Sequence, residues 1–144
     1  MAHDMGDDER RAFLLAPGRT GHLATTRADG RAHVAPIWFT LDGDDVLFNT
    51  AADSVKGRNL RRTGRAALSV DLPVHPYAFV HLEGPVTIEE DPDVYRDWTR
   101  TISARYVPHH EVDDYTERNA VPGELLVRLR PETVVAVADL AGWD

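Results

Sequence analysis

The sequence predicts an antiparallel, β-dominated α+β protein wrapped into a small closed or partly closed barrel. Turn signals at Asp29-Gly30 and at residues 42–45 punctuate three successive β-rich runs. A later run, residues 77–88, is long and carries Gly84-Pro85 in its middle, where a barrel strand bulges and bends. The helical patterns between the runs are few and short. With 144 residues, the chain has the length of one domain that buries one core, so residues 1–144 are read as a single unit.

Each element follows from local chemistry. Asp7, Asp8 and Glu9 suit a helix N-terminus, and Phe13 and Leu14 give that helix an apolar side before Pro17-Gly18 stops it. Residues 20–27 and 31–41 form a hairpin across Ala28-Asp29-Gly30. Pro36 in its second strand cannot donate to a ladder, so it marks an edge, a bulge or the approach of a ligand. Residues 46–50 complete a three-stranded meander, and a basic helix capped by Ser54 follows at once. Residues 66–70 read as a buried strand, Pro73 and Pro76 break the chain, and the long strand 77–88 comes next. Asp91-Pro92 opens a helix expected to turn Val94, Trp98, Ile102 and Ala104 toward a core until Val107-Pro108. Residues 109–119 are polar, with Val112 and Tyr115 at helical spacing, and read as a short surface helix or a loop. Residues 124–130 and 133–138, split by Pro131, are the last strands.

Composition narrows the function. There is no cysteine, which excludes disulfides, thiolate catalysis and cysteine-rich zinc sites, and agrees with a reducing cytoplasm. The polar, acidic N-terminus has no leader pattern and no window approaches a membrane span, so a cytoplasmic, unexported protein is expected. A net charge of -8 argues against general nucleic-acid binding. Against that background Lys56, the only lysine, stands with Arg58, Arg61, Arg62 and Arg65 in one island. A basic island at a capped helix N-terminus asks for an anion, and the phosphate of a flavin-like cofactor is the working assignment.

Four ordered stretches carry a resemblance: Gly21-His22-Leu23-Ala24-Thr25 with Asp29-Gly30, Val34-Ala35-Pro36-Ile37-Trp38-Phe39, the Ser54 to Arg62 segment, and Val80-His81-Leu82-Glu83-Gly84. Together they resemble the pyridoxamine-5′-phosphate-oxidase-like split β-barrel superfamily, and within it the F420-dependent (deazaflavin) reductase branch. The resemblance implies a six-stranded split barrel with short peripheral helices that forms a homodimer with cofactor sites at the interface. It implies that Pro36, Ile37 and Trp38 line the cofactor ring and that Asn49, Thr50, Ser54, Lys56 and Asn59 surround its ribityl and phosphate groups; of the island's arginines one or two, Arg58 among them, are expected to meet the cofactor. It further implies that His75 and Tyr77 reach the site from the partner subunit. FMN members of the superfamily often carry an arginine before the lysine, where this chain has Ser54 or Val55, which favours F420 over FMN. The acidic tail of F420 would also give the surplus arginines a purpose.

No nucleophile with an adjacent base, zinc-protease motif or Gly-x-Gly-x-x-Gly loop is present. His22, His33, His75 and His81 fit no zinc spacing, and His109-His110 with Glu111, Asp113 and Asp114 reads as a solvated surface, so no metal is assigned. A chain that binds and shields while a cofactor carries the hydride fits these absences. The expected function is hydride transfer from reduced F420 to an unsaturated small molecule, with solvent or a hydroxyl such as Tyr77 supplying the proton. Two alternatives stand beside it: an FMN-binding enzyme of the pyridoxamine-phosphate type, and a non-catalytic cofactor- or haem-binding barrel. Trp38's side chain is expected to be a core or interface aromatic.

Overall fold

A computed structural model describes residues 1–142. Nine strands and four helices alternate in the order β1 (His3–Asp4), α1 (Asp7–Leu15), β2 (Gly21–Thr26), β3 (Ala32–Ile37), β4 (Thr40–Asp42), β5 (Asp45–Ala51), α2 (Val55–Thr63), β6 (Arg65–Leu72), β7 (Ala78–Glu89), α3 (Pro92–Tyr106), α4 (Val112–Asn119), β8 (Glu124–Leu129) and β9 (Thr133–Ala138). A 3-10 turn, His109–Glu111, leads into α4. Of the two conformations open to residues 109–119, the helical one is therefore found.

All pairings are antiparallel, in the order β3-β2-β6-β7-β8-β5-β4, with β9 on the free edge of β7 and β1 on β9. The excess over six strands comes from bending. Only Trp38 and Phe39 separate β3 from β4, and one chain pass pairs first with β2 and then with β5. Likewise β8 and β9 lie end to end along β7, through Val86↔Leu129 and Glu83↔Thr133. Counting each bent pair once, six passes close a ring: β2, β3–β4, β5, β8–β9, β7 and β6. This is a β-dominated split barrel. Among the described residues no helix is long and apolar enough to cross a membrane.

The bend at Gly84-Pro85 differs from expectation in one respect. β7 itself keeps an unbroken register with β6 from Arg65↔Pro85 to Leu72↔Ala78. The extra residue sits opposite, where Arg130, Pro131 and Glu132 face Gly84 and Pro85 and hold them through Arg130 N–H to Pro85 O (3.0 Å) and Glu132 N–H to Glu83 O (2.9 Å).

Two apolar clusters set where a site can form. Leu23, Phe39, Phe48, Leu68, Val80, Leu82, Val127 and Leu129 fill the barrel. Leu47, Tyr95, Ile102, Ala120 and Leu126 form a second cluster beneath α3 and α4. The uninterrupted apolar runs Val46-Leu47-Phe48 and Leu125-Leu126-Val127 exist because β5 and β8 are covered on both faces, by the barrel core and by the helices. The face that α3 buries is Tyr95, Thr99, Ile102 and Ser103: of the expected residues Ile102 is buried and Trp98 packs partly buried against the same cluster, whereas Val94 and Ala104 are exposed. Polar residues can take those places because their hydroxyls are satisfied: Thr99 Oγ1 accepts from Asn49 Nδ2 (3.0 Å) and Ser103 Oγ donates to Thr99 O (3.0 Å).

Candidate functional site

The site begins at the α2 N-terminus. Ser54 is the N-cap, its Oγ accepting from Gly57 N–H at 3.0 Å, and Gly64 closes the helix in the left-handed conformation. The hydroxyl proton of Ser54 goes to Ala51 O at 2.7 Å, and Thr50 Oγ1 lies 3.1 Å from the same Oγ. Both hydroxyls are thus occupied in tying α2 to the end of β5. Ser54 and Thr50 position the helix, and neither has a free proton for the anion. The N–H groups of Val55 and Lys56, in the first turn, have no intrahelical acceptor and face the positive end of the helix dipole.

A cavity of about 280 Å³ opens beside this helix end. Pro36, Ile37 and Trp38, from the end of edge strand β3, form one wall together with Thr20. Lys56 stands on the wall with Asn49 of β5, and Ile102, Ser103 and Asn119 close it from α3 and α4. Pro36 is tolerated because β3 pairs only with β2. Asn49 donates to Thr99 Oγ1 (3.0 Å) and to Leu125 O (3.3 Å), which spends both amide protons and leaves Oδ1 as an acceptor. Among the described residues Lys56 makes no ion pair. A cavity of mixed lining, with Pro36, Ile37, Trp38 and Ile102 beside polar groups and an uncommitted cation, suits a flat polar ring bearing an anionic tail.

Five of the eleven residues singled out from the sequence, Pro36, Ile37, Trp38, Asn49 and Lys56, meet at this cavity. Asn59 does not: it is buried, donates to Thr25 Oγ1 (3.0 Å) and accepts from Arg62 (3.2 Å), and so holds α2 to β2. Arg58 opens instead onto an adjacent groove that it shares with Arg27, Arg31 and Arg62. His75 and Tyr77 lie in the link between β6 and β7, with rings edge-on at 6.2 Å, and do not line this chain's cavity. Of the remaining island, Arg61 pairs with Glu90, Arg65 pairs with Glu132, and Arg62 donates to Thr26 O.

The wall supplied by α3 and α4 was not legible in the sequence. Trp38 is no core residue. It remains 41 % exposed and stacks on Tyr106 with centroids 4.9 Å apart and planes 2° from parallel. Tyr106 is itself pinned, its hydroxyl donating to Arg19 O (2.7 Å) and accepting from Phe39 N–H (3.3 Å). Burial pushes the Tyr106 phenol up, while its bond to Phe39 and the charge of Arg105 pull it down. Arg105 donates to Phe39 O and to Leu14 O (2.9 Å), and burial lowers its guanidinium.

Glu124 faces the same helix end. Burial holds its carboxyl above the usual glutamate range, the charge of Lys56 draws it down and that of Asp53 pushes it up. As pH falls through that raised value Glu124 loses its charge, and Lys56 loses an internal competitor for anions. Sulfate affinity is therefore expected to rise on acidification. Glu124→Gln should bind sulfate tighter at neutral pH by about 0.2–1 kcal/mol and lose the pH dependence, because the competing pair is partly exposed. Isothermal titration at several pH values checks this, and equal affinity in the two proteins at neutral pH contradicts it.

Comparison with known proteins agrees with this architecture. Residues 7–138 match the pyridoxamine 5'-phosphate oxidase family. The chain belongs to that family. It is 30% identical over 135 residues to the F420H(2)-dependent biliverdin reductase of Mycobacterium tuberculosis (strain CDC 1551 / Oshkosh), covering 92% of this chain and 89% of that protein. Among solved structures it is similar to a conserved hypothetical protein of Mycobacterium tuberculosis, at a TM-score of 0.81 and 22% identity over 97% of this chain and 89% of that one. It is also similar to a protein described as F420 reductase, at a TM-score of 0.69 and 29% identity over 85% and 94% of the two chains.

Proposed function

We propose that this chain is an F420-dependent oxidoreductase that passes a hydride from the reduced deazaflavin to an unsaturated small molecule. The observation that carries the reading is Lys56, the only lysine, unpaired among the described residues and set at a capped helix N-terminus on the wall of the cavity. The relatives named for F420 chemistry support it. When bound, the deazaflavin supplies the hydride; every other task falls to the polypeptide. Pro36, Ile37 and Trp38 seat the ring through their backbone and exclude water from one face. Asn49 Oδ1 accepts from a hydroxyl or ring N–H of the ligand. Lys56 and the free N–H groups of Val55 and Lys56 hold the phosphate, while Ser54 fixes the helix that presents them. Arg58, in its groove with Arg27 and Arg62, meets the acidic tail. In a homodimer, His75 and Tyr77 reach the cavity of the second copy.

Titration with F420 and FMN tests the assignment, with saturable F420 binding expected. Lys56→Ala should weaken it by about 1.5–3 kcal/mol, the value of a hydrogen bond to a charged group. Micromolar FMN binding without F420 binding contradicts the reading, and unchanged F420 affinity in Lys56→Ala removes the lysine from the site. Turnover is read as oxidation of F420H2 on adding quinones or enones.

A further inference from the structure

We infer that the Trp38 side chain is the stacking platform for the acceptor molecule, and that this acceptor is a flat, conjugated carboxylate whose acid group meets Arg118. The inference deepens the proposed function and rests on the cavity being the reaction site. Trp38 combines two properties seldom found together in one side chain: it is 41 % exposed on the cavity wall, yet it cannot turn away, because Tyr106 lies parallel beneath it and is pinned at its hydroxyl. A rigid, exposed indole takes a planar ligand with little loss of side-chain freedom.

The aromatic surface continues toward α4. Tyr115 lies 6.0 Å from Trp38 at a tilt of 36°, and the Arg118 guanidinium stands 5.0 Å from the Tyr115 centroid. At the other end of the row Arg105 is 5.2 Å from Tyr106, but its N–H groups are spent on Phe39 O and Leu14 O. Arg118 is exposed and, among the described residues, makes no ion pair. Charge is therefore on offer at one end of the stack only. A planar guanidinium resting on a ring also forms paired N–H···O bonds to a carboxylate in its own plane. A molecule that covers Trp38 with a conjugated face and extends an acid group past Tyr115 satisfies both features. Conjugation is also what an acceptor of hydride requires.

The test uses the full chain in a Trp98→Phe/Trp143→Phe background, which leaves Trp38 as the single indole, with the fold verified by circular dichroism. 9,10-Anthraquinone-2-carboxylate should saturably quench Trp38 emission, its carboxamide should bind more weakly, and perhydroanthracene-2-carboxylate should not compete. By calorimetry, Trp38→Leu should lower affinity for the acid at least about tenfold, as loss of a stacking aromatic does. Arg118→Gln should lower it about two- to fivefold for the acid and leave the amide unchanged, as expected of an exposed ion pair. F420 affinity should be unchanged in Arg118→Gln. Equal binding of the planar and saturated acids overturns the inference, as does unchanged affinity in Trp38→Leu. F420 affinity falling in step with the acid in Trp38→Leu means that the indole itself packs on the cofactor ring, and also overturns it. Trp38 emission shielded from acrylamide in the unliganded protein would mean that a second copy covers the indole, and that too overturns the platform. Acid binding as described in a wild-type protein that does not bind F420 supports the platform and defeats only the cofactor assignment.

Discussion

Replacing Gly57 by alanine is expected to cost about 3–4 kcal/mol of stability and to abolish tight anion binding, by overpacking added to loss of a helix cap. Helix propensity alone predicts the opposite sign, since alanine exceeds glycine by about 1 kcal/mol in a helix interior. Surroundings decide which effect wins. A Cβ at Gly57 would stand 2.2 Å from Ala51 O, 3.1 Å from Ala52 O and 3.1 Å from Ser54 Oγ. The first of these is backbone at the end of β5 and cannot swing aside. It also accepts from Ser54 Oγ at 2.7 Å and from Ser54 N–H at 3.2 Å, so any retreat loosens the cap. The first turn of α2 then shifts, and Lys56 shifts with it. Urea denaturation gives the stability change and F420 or sulfate titration gives the binding change. A Gly57→Ala protein more stable than the wild type would show that the strand end and helix yield without cost.

That glycine shows how the sequence could be read and where it could not. The basic helix, its Ser54 cap and its place after a three-stranded meander follow from local signals, and the structure keeps all three. The Asp29-Gly30 and Asp42-Gly43 turns name their hairpins for the same reason, since turn chemistry acts within four residues. What a side chain does with its last proton is not local. The resemblance set Ser54, Thr50 and Asn59 around the ribityl and phosphate groups, yet Ser54 bonds Ala51, Thr50 bonds Ser54, and Asn59 bonds Thr25 and Arg62, and only the packed fold reveals those partners. The wall of the cavity depends on still longer reach: Trp38 meets Tyr106 and Tyr115 across more than sixty positions, and no periodicity encodes that meeting. In the same way a barrel followed from the strand pattern and its six strands from the resemblance, while the two bends that divide β3 from β4 and β8 from β9 appear only once strands have neighbours.

The bends also set the division of labour in the molecule. The cavity lies at the first of these bends, where the chain passes from β3, paired with β2, to β4, paired with β5. Pro36 and Ile37 end β3, Trp38 stands in its bend, and Asn49 belongs to β5, which is covered on both faces. Moving the helices relative to the barrel would therefore separate Trp38 from Tyr106 and Asn49 from Thr99 together.

Gly84→Ala should produce the larger loss of stability, about 4 kcal/mol or more, placing it in the tail of single-substitution effects where overpacking acts against backbone. A Cβ there would lie 2.1 Å from Arg130 O, 3.0 Å from Glu132 N and 3.1 Å from Arg130 C, all of them backbone atoms of the three-residue link that crosses this point. The link cannot withdraw without giving up Arg130 N–H to Pro85 O and Glu132 N–H to Glu83 O, the bonds that join β8 and β9 to the long strand. Gly43→Ala is the matched control. Its φ of +61 strains an alanine, but nothing lies within 4 Å of the added carbon, so a cost of about 1–2 kcal/mol is expected from the left-handed conformation alone. Chemical denaturation of the two variants side by side separates steric exclusion at the barrel corner from conformational strain in a turn. Equal losses would mean that the corner relaxes around a methyl group, and the bend would then owe its position to Pro131 and its neighbours instead of to the glycine that faces them.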